Sequence, residues 1–405
     1  MKKYQQLSLF VLALISVIGL ILYRKQYLEL KTSVEGFSIF GEQEKPQKCV
    51  VLNETLKLDD LKLFYPVSGW MNLQDEFYVY SAFWKGKSIT TAVGIGLKNR
   101  KPSFECHIWH DHGDSLFSNK GSFTFKEIQV ESSDYNVFEY SCEINSPNLH
   151  GTPYMFVFIK QETKRFIPID SGSSSLQQGS VAMCVYPDFQ GLNKLNVIDF
   201  IAYHQLIGFT DFILYDEMHY GVLRKMRTIL SGLNLIKSFS VLPWLVPIEQ
   251  TDPAAKAVID VDCLHRVTNK VSFIAIVSFE DYLLPKSQKK ITNIIKYDSP
   301  ASLKFKYQIC CTDLNNDRVS EESWPLVLKK TQCMHSNESR HILINPQQDN
   351  TAKTITLKSE ALINSYKRCS VSKNTKIIYD STARKFLYDL LNSKIILLRN
   401  SGSLF

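Results

Sequence analysis

Two acidic pairs stand at the ends of apolar runs in the second half of the chain. Residues 272–277 give way to Ser278-Phe279-Glu280-Asp281, and Phe212-Ile213-Leu214-Tyr215 gives way to Asp216-Glu217. A carboxylate at a strand end, in a crevice, can hold a divalent cation; the cation can hold a diphosphate and neutralise a leaving group. On the Glu280 strand alone, the same residues also read as solvated loop charges. Tyr215-Asp216 reads equally as a ligand contact or as a strand-terminating Asp that caps the next element. Asp262, on a helix ahead of the Glu280 strand, either faces a ligand or is a surface acid. Its neighbour Cys263 reads as packing or half of a disulfide rather than as a nucleophile. In Trp109-His110-Asp111-His112-Gly113-Asp114 two His and two Asp could bind a metal, but Gly113 and Asp114 favour a turn. Arg384, Lys385 and Lys394 could meet phosphate and equally read as ordinary surface charges.

The elements that must position these residues follow from hydrophobic periodicity. Short apolar runs at 181–185, 212–215, 239–242 and 272–277 read as buried strands. Between them, helical spacing (Leu195, Ile198, Ile201, Ala202 and Phe209) and the stretches 222–233 and 254–266 read as helices. Strands alternating with helices imply an α/β region with a mostly parallel sheet covered on both faces. Such sheets bind ligands at their carboxyl ends, where both acidic pairs stand. Upstream, residues 51–170 carry aromatic and β-branched runs separated by turn residues, which predicts a β-rich domain. Ser171-Gly172-Ser173-Ser174-Ser175 then marks a linker, so that the β-rich domain and linker occupy 51–175.

The start of the chain reads as an anchor. Residues 7–23 carry no charge and are flanked by Lys2, Lys3, Arg24 and Lys25. As a helix this run is about 26 Å long, slightly under the ~30 Å hydrocarbon core. Tyr23 and the flanking cations can close the gap. No small-residue cleavage site follows, which favours an uncleaved signal anchor over a signal peptide. The expected layout is a cytoplasmic tail (1–6), a transmembrane helix (7–23), a stem (24–50) and a lumenal C-terminal region. Sequons at Asn53 and Asn337 agree with that orientation. Nine cysteines, an odd number without Cys-x-x-Cys spacing, predict some disulfides in an oxidising lumen. A net charge of +7 over 405 residues is too mild for a nucleic-acid binder. Walker loops, Gly-x-Ser-x-Gly elbows and His-Glu-x-x-His helices are absent.

Three segments in order carry a resemblance. Cys184-Val185-Tyr186-Pro187 leads into a helix with Tyr203-His204-Gln205-Leu206-Ile207-Gly208 and then a strand ending at Tyr215-Asp216. Asp262-Cys263-Leu264-His265-Arg266 follows, and then residues 277–285, VSFEDYLLP. Together, over about residues 180–395, they resemble glycosyltransferase family 92. The resemblance implies a GT-A-like, Rossmann-type nucleotide-sugar domain. It implies transfer of a hexose, often galactose from UDP-galactose, with inversion, onto a glycan acceptor of a glycoprotein or glycolipid. The implied cofactor is a divalent cation, commonly Mn2+, and the implied place is the Golgi membrane, in single-pass type II orientation. Ser278 stands where the family's first Asp would be, Glu280 at the second, and Asp281 at the following Glu. Glu280 is then the metal ligand, Tyr215, Asp216, Ser278 and Glu280 face the donor, and Asp281 and Asp262 carry catalysis. Lys256 or a neighbour stands where relatives have Gln. The late Val-His of the family has no counterpart at Ala352-Lys353; His335 and His341 lie earlier. These departures also permit a relative that binds without turnover.

Overall fold

The computed structural model describes residues 69–402, except positions 87, 112–115, 146–150, 172–176, 188–193, 217–222, 224, 225, 228, 231–233, 288, 289, 295–301, 317, 345–353 and 370–375. The expected anchor at 7–23, the stem at 24–50 and the sequon at Asn53 lie outside the described residues, as do most of the serine-rich linker and Ala352-Lys353. Among the described residues no helix is long and apolar enough to cross a membrane.

The first half is a barrel built from β1 (Met71–Gln74), β2 (Phe77–Trp84), β3 (Ile89–Leu97), β4 (Glu105–Asp111), β5 (Leu116–Ile128), β6 (Tyr135–Glu143), β7 (Thr152–Lys160) and β8 (Thr163–Asp170). The strand order is β1-β2-β3-β6-β5-β4-β7-β8. It closes because β8 pairs in parallel with the end of β2, at Ala82 with Ile169 and Phe83 with Asp170. β1 occupies the earlier part of the same β2 edge, with Met71 opposite Val79, so closure leaves little open edge. Alternation sends Phe138, Tyr140 and Cys142 inward with Phe77, Phe104, Phe156 and Phe158, while Val137, one residue before Phe138, faces out. Inside, Cys106 of β4 bonds Cys142 of β6 across β5. β5 carries Gly121 at that crossing, where a Cβ would lie 2.5 Å from Cys142 Sγ. β4 runs on through Asp111, so Trp109, His110 and Asp111 are strand residues. His110 is buried, with Nδ1 3.2 Å from Asn119 Nδ2. The turn expected around Gly113 and Asp114 lies outside the described residues.

The second half is a mixed sheet of β9 (Gln177–Val185), β10 (Asp211–Asp216), β11 (Ser238–Pro243), β12 (Val271–Val277), β13 (Asp281–Pro285), β14 (Ser302–Cys311), β15 (Gln332–Ile344), β16 (Thr354–Lys367) and β17 (Ile377–Tyr379). The order is β11-β10-β9-β12-β15-β14-β16-β13, with β17 on β15. β11, β10, β9 and β12 are parallel to one another; β15 joins β12 antiparallel. The helices are α1 (Lys194–Leu206), α2 (Pro253–Val267), α3 (Leu326–Lys329), α4 (Leu387–Leu391) and α5 (Lys394–Asn400). Leu223, Met226 and Leu230, from the helix expected at 222–233, are helical and buried.

Both faces of the parallel strands are covered, which is why residues 181–185 are apolar throughout and buried. Met183, Val185, Leu214, Ala275 and Val277 pack on the α1 side. Ala182, Cys184, Ile213, Tyr215 and Ile274 pack against α2. Asp252 caps α2 by accepting from the Ala254 N–H, and Pro253 presets its first turn. Cys263 of α2 is bonded to Cys184 of β9. The far side of α2 meets Tyr80, Phe83, Val93, Ile95 and Val137 of the barrel, so one apolar cluster runs through sheet, helix and barrel. Cys310–Cys333 and Cys311–Cys369 complete four disulfides among the described residues; Cys49 lies outside them. Four disulfides fit the oxidising secretory pathway.

Candidate functional site

The chain leaves β9 for β10 and β11 on one side and returns to β12 on the other. The strand order therefore reverses between β9 and β12, and a crevice opens outside the carboxyl ends at such a point. Leu214, Val185 and Val277 stand level across the three strands. Just beyond that level come Tyr186, Asp216 and the segment Ser278–Asp281. Tyr186 N–H donates to Val277 C=O at 3.0 Å, and Trp244 N–H to Asp216 C=O at 2.6 Å. Asp216 is buried and by alternation follows Leu214 to the α1 face.

Residues 278–281 form a tight turn. Asp281 N–H donates to Ser278 C=O at 3.0 Å, and Ser278 N–H donates to Asp281 Oδ2 at 3.3 Å. Phe279 is buried against Phe200 of α1, ring centroids 5.1 Å apart. Tyr366 N–H of β16 donates to Glu280 C=O at 2.9 Å. The Glu280 side chain is half-buried, whereas Asp281 is buried.

The helix motif ending in Gly208 acquires a physical meaning here. β13 is the last strand of the sheet, and α1 covers its outer edge. Tyr203 OH donates to Leu283 C=O at 3.2 Å, and Leu283 N–H donates to His204 Nε2 at 3.4 Å. His204 Nδ1–H donates to Phe200 C=O at 2.8 Å, which assigns its tautomer. Burial holds the His204 pKa down to about 3, so the ring is neutral. Gly208, at φ +111°, turns the chain out of the helix, and Phe209 lies beyond the helix end. At the other side of α1, Asp199 Oδ1 accepts from Arg399 Nη1 of α5 at 2.7 Å; burial lifts the Asp199 carboxyl to about 6.

Asp216, Ser278, Glu280 and Asp281 stand at the carboxyl ends of β10 and β12, Asp216 and Asp281 buried there; two other expected site residues, Tyr215 and Asp262, are buried on the α2 side. Asp262 is fully buried. Its carboxylate accepts from Ser81 Oγ of β2, from Tyr215 OH at 2.5 Å, and from Arg266 Nε and Nη2 at 3.0 and 2.9 Å. Tyr215 is fully buried too, with its ring 5.4 Å from Trp244. Asp262 thus joins α2, β10 and the barrel. Beside it His265 Nε2 meets Glu139 Oε1 of β6 at 2.6 Å.

Sequence reasoning missed Tyr186 and Asp260. Tyr186 OH donates to Asp260 Oδ1 of α2, and Lys256 Nζ lies 5.7 Å from the Tyr186 ring centre. The i, i+4 spacing of Lys256 and Asp260 on α2 was the available signal. Lys385 donates to Pro285 C=O and, at 2.7 Å, to Lys286 C=O, which ties it to the end of β13; Lys394 is exposed.

The donor set limits any metal. Among the described residues the close grouping of His, Cys, Asp and Glu is Cys311, Asp313 and Cys369, and its two sulfurs are bonded to each other. His335 is exposed on β15, and the His341 side chain lies outside the described residues. Glu280, with one half-buried carboxylate at the crevice, fits a cation whose other ligands are diphosphate oxygens and water. It does not make a protein-only metal centre.

The family model described as Glycosyltransferase family 92 matches residues 179–384, just over half the chain. Among curated proteins none matches the chain.

Proposed function

The chain belongs to glycosyltransferase family 92, and from that premise we propose that it moves a hexose, galactose from UDP-galactose, onto a glycan acceptor of a glycoprotein or glycolipid, with inversion. The observation that supports this reading is the position of Asp216 and of Ser278, Glu280 and Asp281 at the carboxyl ends of parallel strands on either side of the strand switch. On this reading the strand ends form a GT-A-like nucleotide-sugar site. The acceptor oxygen bonds the anomeric carbon as the bond to the diphosphate breaks, and the acceptor proton passes to a base. Asp281 is the base in this scheme, and its Oδ2 also pins the turn through Ser278 N–H. Glu280 holds a divalent cation, Mn2+ on this reading, which when bound neutralises the departing diphosphate. Ser278 faces the donor from the α2 side, and Asp216, buried on the α1 side, supports the strand end. Tyr215 and Asp262 act as positioning residues, because both are buried and bonded to each other. The anchor at 7–23 places the enzyme in the Golgi membrane as a type II protein.

Ser278, uncharged where a carboxylate would serve, favours a second reading: a protein that binds the nucleotide or a glycan without turnover. Calorimetric titration of UDP into the purified full-length protein, with and without Mn2+, tests the site. Binding that requires Mn2+ and is lost in Glu280→Ala is expected. Absence of nucleotide binding in the wild type overturns the assignment.

A further inference from the structure

Tyr186 and Ser278 follow the in-register parallel pair Val185–Val277 by one residue each. Their side chains therefore leave the same face of the sheet, the face that α2 covers. Tyr186 packs on that face, and Asp260 of α2 takes its hydroxyl. Oδ1 of Asp260 is thereby fixed, while Oδ2 has no protein partner among the described residues. Lys256, one turn earlier on α2, sets its ammonium over the Tyr186 ring and is itself exposed. A half-buried carboxylate with one oxygen fixed, beside an exposed cation, is thus held by Tyr186, which stands in register with Ser278 at the strand ends.

Resting on the nucleotide-sugar reading above, we propose that Tyr186, Asp260 and Lys256 form the nucleoside subsite, with Asp260 accepting the vicinal ribose hydroxyls of the donor. A carboxylate suits a diol because it only accepts and the two hydroxyls both donate. The Tyr186 bond holds that carboxylate in one orientation before ligand arrives, which lowers the ordering cost of binding. Burial raises the Asp260 carboxyl to about 6 against the opposing influence of Tyr186 and Lys256, in keeping with a partly dehydrated group whose hydrogen-bonding capacity is unspent.

The test is a cycle of two proteins and two ligands, read by calorimetry on the full-length protein at pH 7.5 with Mn2+. The ligands are UDP and 2′,3′-dideoxy-UDP; the proteins are wild type and Asp260→Asn, which keeps an oxygen for Tyr186. Wild type is expected to prefer UDP about tenfold to a hundredfold, the range of hydrogen bonds to a charged group. In Asp260→Asn that preference should fall to about twofold or less, on the order of one weak neutral bond. Tyr186→Phe, which frees the carboxylate without removing it, should fall between the two. Thermal melting checks that both variants are folded. Equal discrimination by wild type and Asp260→Asn overturns this assignment while leaving the nucleotide-sugar reading intact. Failure of wild type to bind UDP at all overturns both.

Discussion

Replacing Asp262 by Ala should cost stability first and activity second. The carboxylate accepts four hydrogen bonds, from Ser81, Tyr215 and twice from Arg266, in a place with no solvent exposure. Its removal takes the two nearest acceptor contacts from a guanidinium whose side chain is only 13 % exposed, leaving Asp170 Oδ2 at 4.0 Å from Nη1. Breaking one half of such a pair costs about 3–5 kcal/mol, because the remaining charge keeps its desolvation penalty. Asp262→Asn keeps one acceptor oxygen, for Ser81 or for Tyr215, and loses the charge, so about 1–3 kcal/mol is expected. The Cys184–Cys263 bond holds α2 to β9 in both variants, so the fold should survive. Urea unfolding at pH 7 with disulfides intact, followed by tryptophan fluorescence, reads the change; Trp244 lies in the affected cluster. The expected order of midpoints is wild type, Asp262→Asn, Asp262→Ala. An Asp262→Ala protein with the wild-type midpoint and no transfer activity would refute the reasoning and return Asp262 to the chemistry.

Three other outcomes follow from the same geometry. His204 is buried neutral with a pKa near 3 against 6.5 when unfolded, so the unfolded chain binds the extra proton between those values. Its stabilising contribution is present above pH 6.5 and lost as pH falls toward 3, by about 2 kcal/mol between pH 7 and pH 5. Asp199, raised to about 6, runs the other way: its contribution is present below pH 3.8 and lost as pH rises through 6. The His204 effect is therefore read as the stability difference between wild type and His204→Gln, which should shrink by that amount on acidification; a pH-independent difference contradicts it. Gly208→Ala should lose about 1–2 kcal/mol from positive φ alone, since a Cβ there meets its nearest neighbour at 3.7 Å; an unchanged unfolding midpoint contradicts this. Ser278→Asp should raise UDP affinity in Mn2+ if the turn places residue 278 at the cation, and unchanged affinity would remove Ser278 from the site.

What the sequence revealed follows the range of the interactions. The parallel strands and α2 were legible because their apolar runs and helical spacing are local, and the acidic turn could be placed because it ends such a run. Barrel closure was not: it depends on Ala82 and Phe83 meeting Ile169 and Asp170, a pairing that leaves no local pattern. The burial of Asp262 was hidden for the same reason, since Ser81 lies 181 positions away. Tyr186 and Asp260 are 74 positions apart, so only the fold shows that they meet. Pairing of the cysteines was equally out of reach, though Gly121 is explained once Cys106 and Cys142 are seen to cross β5. The Tyr203-His204 pair looked like part of a motif and is a clamp on the backbone of Leu283, acting on the turn's following strand rather than on a ligand.

The most direct test of the central claim is release of UDP from UDP-galactose by the purified full-length protein, with Mn2+ and a glycan acceptor. Wild type should release UDP faster with acceptor than without. Glu280→Ala should be slower by on the order of a hundredfold or more, as when a group stabilising transition-state charge is removed, with an unchanged melting temperature. Acceptor-independent rates for every nucleotide sugar tried, or full activity in folded Glu280→Ala, would contradict the account.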